Sequence, residues 1–265
     1  MDLSQARHAF ITGGASGIGL GIGAALASRA IRVTLVDVDR EVLGEVVEKS
    51  KGRFRGQVLD TRDRQGWVSA KAEAERALGP VDILVNNAGI GPDGREFADM
   101  DPESFDRILA INLVGAFNGV SAFASDMRTR RTGHIVNTSS MAGLTAHMFP
   151  RVGGYAVSKF GVVALSEVLR IEMAPHGVGV SVLCPGMVTT NLWQTTIKLG
   201  GQFPLPPAEQ RGATNPMPGS AVTAADVGEI VAHGISQNLP YIITHRDSWP
   251  GVEQRLRAIE AAFCA

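Results

Sequence analysis

His8-Ala9-Phe10-Ile11-Thr12-Gly13-Gly14-Ala15-Ser16-Gly17-Ile18-Gly19 decides the fold of this 265-residue chain. A short run fit for a buried strand ends at Thr12, glycines follow at once, and an apolar stretch of helical length opens at Gly17. Glycines there permit a tight turn and let a phosphate group approach the N-terminus of the following helix. No Gly-Lys-Ser/Thr element accompanies them, so the turn is not that of a nucleoside triphosphate loop.

Outward from this stretch, short β-branched runs recur between longer helical patterns, at His8 to Thr12, Arg32 to Asp37, Phe54 to Asp60, Asp82 to Asn86, His134 to Ser139, Gly179 to Cys184 and Tyr241 to Thr244. Alternation of this kind is the pattern of repeated βαβ units. It predicts an α/β, doubly wound (Rossmann) fold, with seven parallel strands, helices on both faces and a single domain over 1–265. Asp101 with Pro102 reads as an N-cap followed by proline at N1, and Thr223 with Asp226 as a capping box. Residues 191–220 break the pattern with five prolines and four glycines directly after a strand end. Such long irregular segments are uncommon in compact domains unless they serve a site, and this one is read as a substrate-binding lid.

Bulk composition narrows the function. A net charge of -1 and 45% hydrophobic residues provide a large core and no basic excess for nucleic acid or acidic membranes. The cluster Arg128, Arg130 and Arg131 is read as a solvated helix end. Cys184 and Cys264 show no pairing suited to a disulfide framework or to zinc, and His134, His176 and His233 lack ligand spacing, so no metal is expected. Met1 to Ala9 carries no secretory segment, and no run of eighteen apolar residues occurs. The expectation is a cytoplasmic protein. Asn137-Thr138-Ser139 matches a glycosylation sequon inside an apolar strand and is read as chance.

Asp37 ends the second strand run 18 residues after Gly19, close to the roughly 20-residue spacing of an acid that holds the adenosine ribose of a dinucleotide. Its charge would repel a 2′-phosphate, so NAD is favoured over NADP. Arg40 is the one nearby cation that could swing toward a phosphate, although an exposed place at a helix start is the better explanation for it. Farther along, Gly154-Tyr155-Ala156-Val157-Ser158-Lys159 places a phenol and an ammonium one helical turn apart on the same side. One charge at about 4 Å in an effective dielectric of about 20 is worth roughly 4 kcal/mol, about three pK units, enough to bring a tyrosine toward neutrality. The pair is therefore read as an acid/base device, with Lys159 expected to lower the Tyr155 pKa.

These motifs resemble those of the short-chain dehydrogenase/reductase family, from about Arg7 to about Thr190. Asn86-Asn87-Ala88-Gly89 is similar to the family's element after its fourth strand, and Asp60 with Thr61 to its adenine-contacting segment. Ile111-Asn112-Leu113-Val114-Gly115 is similar to the helix bearing its catalytic asparagine, and Asn137 to Gly143 to the strand and turn of its catalytic serine, here Ser140 rather than Ser139. Pro185-Gly186-Met187-Val188-Thr189-Thr190 matches the segment that holds the nicotinamide carboxamide, through Val188 backbone and Thr190 hydroxyl. The resemblance implies that Gly13, Ser16, Gly17, Ile18, Gly19, Asp37, Asp60, Thr61, Asn87, Ala88 and Gly89 bind the cofactor together with Tyr155, Lys159, Pro185, Gly186, Val188 and Thr190. It implies a catalytic set of Asn112, Ser140, Tyr155 and Lys159. Tyr155 exchanges a proton with the substrate oxygen, Ser140 donates a hydrogen bond to it, Lys159 holds the ribose, and Asn112 holds a water that relays the proton.

The 15 residues from Ser140 to Tyr155 are slightly more than the family's common spacing, so the turn around His147 and Phe149 is expected to shape the substrate pocket. Leu192 and Trp193 of the lid suggest an apolar wall. The resulting expectation is an NAD-dependent oxidoreductase interconverting a bulky or aromatic secondary alcohol and a ketone, with an NADPH-dependent ketone reductase and a non-catalytic dinucleotide-binding regulator as alternatives. The family resemblance also implies a homo-oligomer, a tetramer or a dimer.

Overall fold

A computed structural model of the chain describes residues 1–148, 150–188, 192–199 and 222–264. Within them β1 (His8–Thr12), β2 (Arg32–Asp37), β3 (Phe54–Val58), β4 (Ile83–Asn86), β5 (His134–Thr138), β6 (Gly179–Cys184) and β7 (Tyr241–Ile243) form one parallel sheet in the order β3-β2-β1-β4-β5-β6-β7. The order reverses between β1 and β4, the switch point at which such sheets open a crevice. The strands stand where the sequence places them, but four end or begin a residue or two inside the expected limits. β3 is an edge strand whose ladder stops at the Asp37–Val58 pair, which leaves Asp60 beyond the sheet.

Both faces are covered, which is why β1, β4 and β5 are buried along their whole length and read as unbroken runs. On one face Ile11, Val33 and Leu35 pack with Ile22 and Leu26 of α1 (Gly17–Ala27) and with Val227, Val231 and Ile235 from the helix Ala224–Ser236. On the other, Phe10 points the opposite way from Ile11 and meets Trp67 and Phe123, at centroid distances of 5.9 and 5.1 Å. Removing one such buried ring costs about 3–5 kcal/mol.

The elements between are α2 (Arg40–Lys49), α3 (Arg64–Leu78), α4 (Pro102–Leu109), α5 (Gly115–Arg130), α6 (Gly153–Met173), α7 (Leu192–Lys198), α8 (Ala224–Ser236) and α9 (Trp249–Phe263). The expected caps are present: Asp101 accepts from the Glu103 amide, and Thr223 and Asp226 cap each other. The arginines at the end of α5 are not simply solvated, because Arg130 pairs with Asp82 at 3.0 Å and donates to the Val81 carbonyl. α4 and α5 join through a π turn at Ala110–Val114 into one 29-residue helix. By length and composition it could cross a membrane, but half of its apolar stretch is buried against the fold. Of the expected lid, residues 192–199 are described and form α7 with one following residue, and 191 and 200–220 lie outside the described residues.

Two fully buried histidines stand on the sheet's N-terminal side. His8 donates from Nδ1 to the Gly79 carbonyl and accepts at Nε2 from the Thr34 hydroxyl. Ser181 donates its own proton to the Leu239 carbonyl, so His134 must donate from Nε2 to Ser181, and its buried Nδ1 has no partner. Burial holds both rings below the ordinary 6.5, His134 at about 3. Below pH 6.5 the unfolded chain binds protons that these rings refuse, so stability falls as pH drops from about 6.5 toward 3, by up to about 1.4 kcal/mol per pH unit for His134. Urea unfolding at pH 7, 5.5 and 4.5 will show this loss, and His134→Gln, which keeps a donor for Ser181 but does not titrate, will show a shallower one; equal slopes would exclude His134 as the source.

Candidate active site

A cavity of about 550 Å³ opens at the C-terminal edge of the sheet, over the switch point. Its floor is built by the ends of β1 and β4. The Thr12 hydroxyl accepts from the Asn87 and Ala88 amides at 3.0 Å each, and the Asn87 carboxamide donates to the Thr12 and Gly13 carbonyls. A Cβ on Gly19 would lie 2.2 Å from the Gly13 carbonyl oxygen, so the turn can fold back on the helix only with glycine there. Ser16 caps α1 by position without a side-chain bond, unlike Asp39, Asp63 and Asp101 at the following helices, and the first turn of α1 carries no acid. The amides at that end are thus left for an anion.

Gly13, Ser16, Gly17 and Ile18 line the cavity beside this turn, and Asp37, Asp60 and Thr61 line its far end. Asp37 accepts from the Ala15 amide at 3.1 Å and from the Asp39 amide at 3.1 Å, which fixes its carboxylate at the rim. Two cations that the sequence reading did not single out also reach this end. Arg62 is bound to Asp60 at 2.6 Å, holding that carboxyl below its usual range, and Lys198 of α7 bridges to Asp39 at 2.8 Å. Arg40, the cation that was considered, is exposed and away from the cavity lining. α7 is held down at its middle as well, where buried Thr196 accepts from the Gly91 amide at 2.8 Å.

At the opposite end Ser140, Tyr155, Lys159, Pro185, Gly186, Val188 and Leu192 line the cavity. Ser140 accepts from the Ala142 amide at 3.1 Å and lies close enough to the Tyr155 phenol to lower its pKa in part. Its neighbour Ser139 is buried and donates instead to the Lys159 carbonyl at 2.7 Å. Lys159 donates to the Thr138 carbonyl at 2.9 Å and stands over the Tyr155 ring, 5.5 Å from its centroid. The expected lowering of the phenol pKa does not appear. Burial pushes Tyr155 up, with partial relief from Ser140, and burial pushes Lys159 down to about 8. Desolvation is the larger influence on the phenol, and Nζ is engaged by the Thr138 carbonyl and the ring face.

Asn112 is buried beside this end of the site. It sits in the π turn, 2% exposed; its Oδ1 accepts from the Ile90 amide at 2.8 Å, and its Nδ2 donates to the Ile90 carbonyl and to Ser158. The side chain thereby joins the exit of β4 to α6. His147 is exposed, bonds Gln254 of α9 at 3.3 Å and is not brought to the cavity. Phe149, Thr190 and the side chain of Trp193 lie outside the described residues. Among the described residues no group of three or more His, Cys, Asp or Glu side chains could hold a metal.

The model of the short chain dehydrogenase family matches residues 7–198. The chain belongs to that family. A short-chain dehydrogenase from Burkholderia phymatum, solved in complex with NAD, superposes with a TM-score of 0.88 at 29% identity, covering 99% of this chain and 97% of the other. The 2-(S)-hydroxypropyl-CoM dehydrogenase 3 of Xanthobacter autotrophicus is 31% identical over 88% of this chain and 90% of its own length. The Probable oxidoreductase EphD of Mycobacterium tuberculosis is 39% identical over 70% of this chain, which spans only 32% of that longer protein. The chain is thus a short-chain dehydrogenase by family, and its glycine cradle, uncapped helix end and Asp37 fit an NAD(P) dinucleotide. Gly19→Ala will push the Gly13 carbonyl out of place, and NADH affinity measured by fluorescence titration will fall at least about tenfold, about 1.4 kcal/mol; unchanged affinity would show that the turn is not part of the dinucleotide site.

Proposed function

We propose that this short-chain dehydrogenase uses NAD to interconvert a bulky secondary alcohol and its ketone. The observation that carries the reading is one continuous cavity with Asp37 at one end and Ser140 beside Tyr155, with Lys159 against the phenol ring, at the other. When bound, nicotinamide supplies the hydride acceptor or donor. Asp37 is placed to accept hydrogen bonds from the ribose hydroxyls, and the α1 amides to meet the pyrophosphate. Pro185, Gly186 and Val188 would hold the nicotinamide end, with Thr190. Tyr155 exchanges a proton with the substrate oxygen, Ser140 donates a hydrogen bond to that oxygen as charge develops, Lys159 steadies both the phenol and the ribose, and Asn112 fixes the walls between them. The 2-hydroxypropyl group named for the Xanthobacter relative is itself a secondary alcohol.

The preference for NAD follows from charge. Asp37, Asp39 and Asp60 surround the adenosine end, and both cations there are already paired. Arg62 and Lys198 are also the observation that favours the second reading, an NADPH-dependent ketone reductase, should either leave its carboxylate for a 2′-phosphate. The chain is taken to work as one catalytic unit in the cytoplasm. Exposed Phe117 on α5 and Val157, Val168 and Ile171 on α6 form an apolar face suited to pairing with a second copy in a dimer or tetramer.

Fluorescence titration of NADH against NADPH decides the cofactor: NADH will bind tighter, and a reversed order would replace this reading by the second. Turnover of aliphatic and aromatic secondary alcohols with NAD+ decides the reaction. Because burial raises the Tyr155 pKa above its ordinary 10, oxidation will accelerate as pH rises above neutrality, while reduction of the matching ketone will stay level until pH passes about 10. Tyr155→Phe will lower kcat by about 10²–10⁴ with NADH affinity retained. A Phe variant as active as the wild type would remove Tyr155 from the chemistry.

A further inference from the structure

We propose that His245 determines substrate specificity, donating from Nε2–H to the oxygen of a neutral hydroxyl or phenol on the substrate's tail. The inference rests on the reading that this end of the cavity receives a secondary alcohol. His245 follows β7, and its Nδ1 lies 3.1 Å from the Gly186 amide nitrogen and 2.7 Å from the Thr244 hydroxyl oxygen. The Gly186 amide can only donate, to Nδ1 and, at 3.3 Å, to the Thr244 hydroxyl; we therefore assign Nδ1 as an acceptor from both Gly186 and Thr244, which places the ring's proton on Nε2. The orientation is fixed by contact too. A Cβ on Gly186 would meet the ring at 2.6 Å from Cγ and 2.8 Å from Nδ1, so the imidazole lies flat against a position where only glycine leaves room.

With the Nδ1 edge committed to Gly186, Nε2 is carried on the other side of a ring that lines the cavity, and among the described residues it has no hydrogen-bond partner. A donor of fixed direction at a cavity wall selects for an acceptor on whatever binds there. The chemistry of that acceptor follows from its neighbours. Asp247 and Ser248 line the cavity beside His245, while Met141, Val152 and Met187 supply apolar wall. A carboxylate tail would accept from His245 but face the Asp247 charge; a hydroxyl or phenol can accept from His245 and donate to Asp247 at once. The site is thus matched to an apolar alcohol whose tail ends in a neutral hydroxyl.

The test uses the full chain with 1-phenylethanol, 1-(4-hydroxyphenyl)ethanol, the longer 4-(4-hydroxyphenyl)butan-2-ol and 4-(1-hydroxyethyl)benzoate. His245→Asn keeps an amide oxygen where Nδ1 accepts but has no atom in place of Nε2, whereas His245→Gln carries an amide nitrogen near Nε2. The wild type will show a KM about tenfold lower for a phenolic alcohol than for the phenyl or carboxylate probe. His245→Asn will erase that preference by raising the phenolic KM about tenfold, with kcat and NADH affinity changed less than about threefold, and His245→Gln will restore part of it. A preference that survives in His245→Asn would overturn the proposal. So would a loss confined to NADH affinity and equal for all alcohols, the signature of a brace for Gly186. If the wild type oxidises none of the probes, it is the secondary-alcohol reading that has failed. Calorimetric binding of 4-hydroxyacetophenone against acetophenone to the NADH complex then decides His245 separately, a phenol preference lost in His245→Asn supporting it and no preference refuting it.

Discussion

The cavity depends on how two neighbouring strands end. β1 and β4 run side by side to Thr12 and Asn86, and from there one chain turns toward α1 while the other turns away toward α4. Left alone, that divergence would expose the last amides of one strand and the last carbonyls of the other. Thr12 and Asn87 close the gap between them: a hydroxyl accepts two amides of the β4 exit, and a carboxamide donates to two carbonyls of the β1 exit. Buried backbone groups left without such partners each cost about 1–3 kcal/mol. Satisfying them with two short polar side chains keeps the floor thin enough for a ligand to approach the backbone itself.

On that floor, the two ends of the cavity obey different electrostatics. The rim near Asp37 is wet and charged, and its ion pairs, Arg62 with Asp60 and Lys198 with Asp39, are exposed enough that each contributes little to stability. Their importance is positional, since they decide which charges remain available to a ligand. Around Tyr155 and Lys159 the opposite holds. Lys159 is almost fully enclosed, so its charge is dear to maintain and is held by one carbonyl and one ring face. A group whose pKa has fallen to about 8 is poised to change state near neutrality.

Much of this was legible in the chain. Strands covered on both faces read as continuous apolar runs, so β1, β2 and β6 fall on their expected residues. The limits of β3 were not legible, because they depend on where its single neighbour stops pairing. The glycine turn, Asp37, Ser140, Tyr155 and Lys159 are recognisable because their spacing is local or their motif is ordered. Arg62 and Lys198 carry no local signal, and His245 reads as easily as a structural residue, since each gains its place through tertiary packing: His245 meets Gly186 across 59 residues, and Lys198 meets Asp39 across 159. The Tyr155–Lys159 spacing was read correctly as a helical neighbour pair, yet the direction of the phenol's shift was not. Spacing fixes which side of the helix a charge lies on, and burial fixes what that charge is worth.

The π turn at Ala110–Val114 has a bearing on how this chain can change. A regular helix advances about 100° per residue, and a wide turn holds one residue more than the regular count. α4 and α5 therefore keep separate rotational phases, joined at the very place where Asn112 grips Ile90. A single-residue deletion between 110 and 114 would leave a perfectly good helix with every hydrogen bond in register. It would also swing everything on one side of the cut by about a quarter turn, so that either Asn112 leaves Ile90 or Phe123 leaves its place against Phe10. Length, at this point of the sequence, is as constrained as identity.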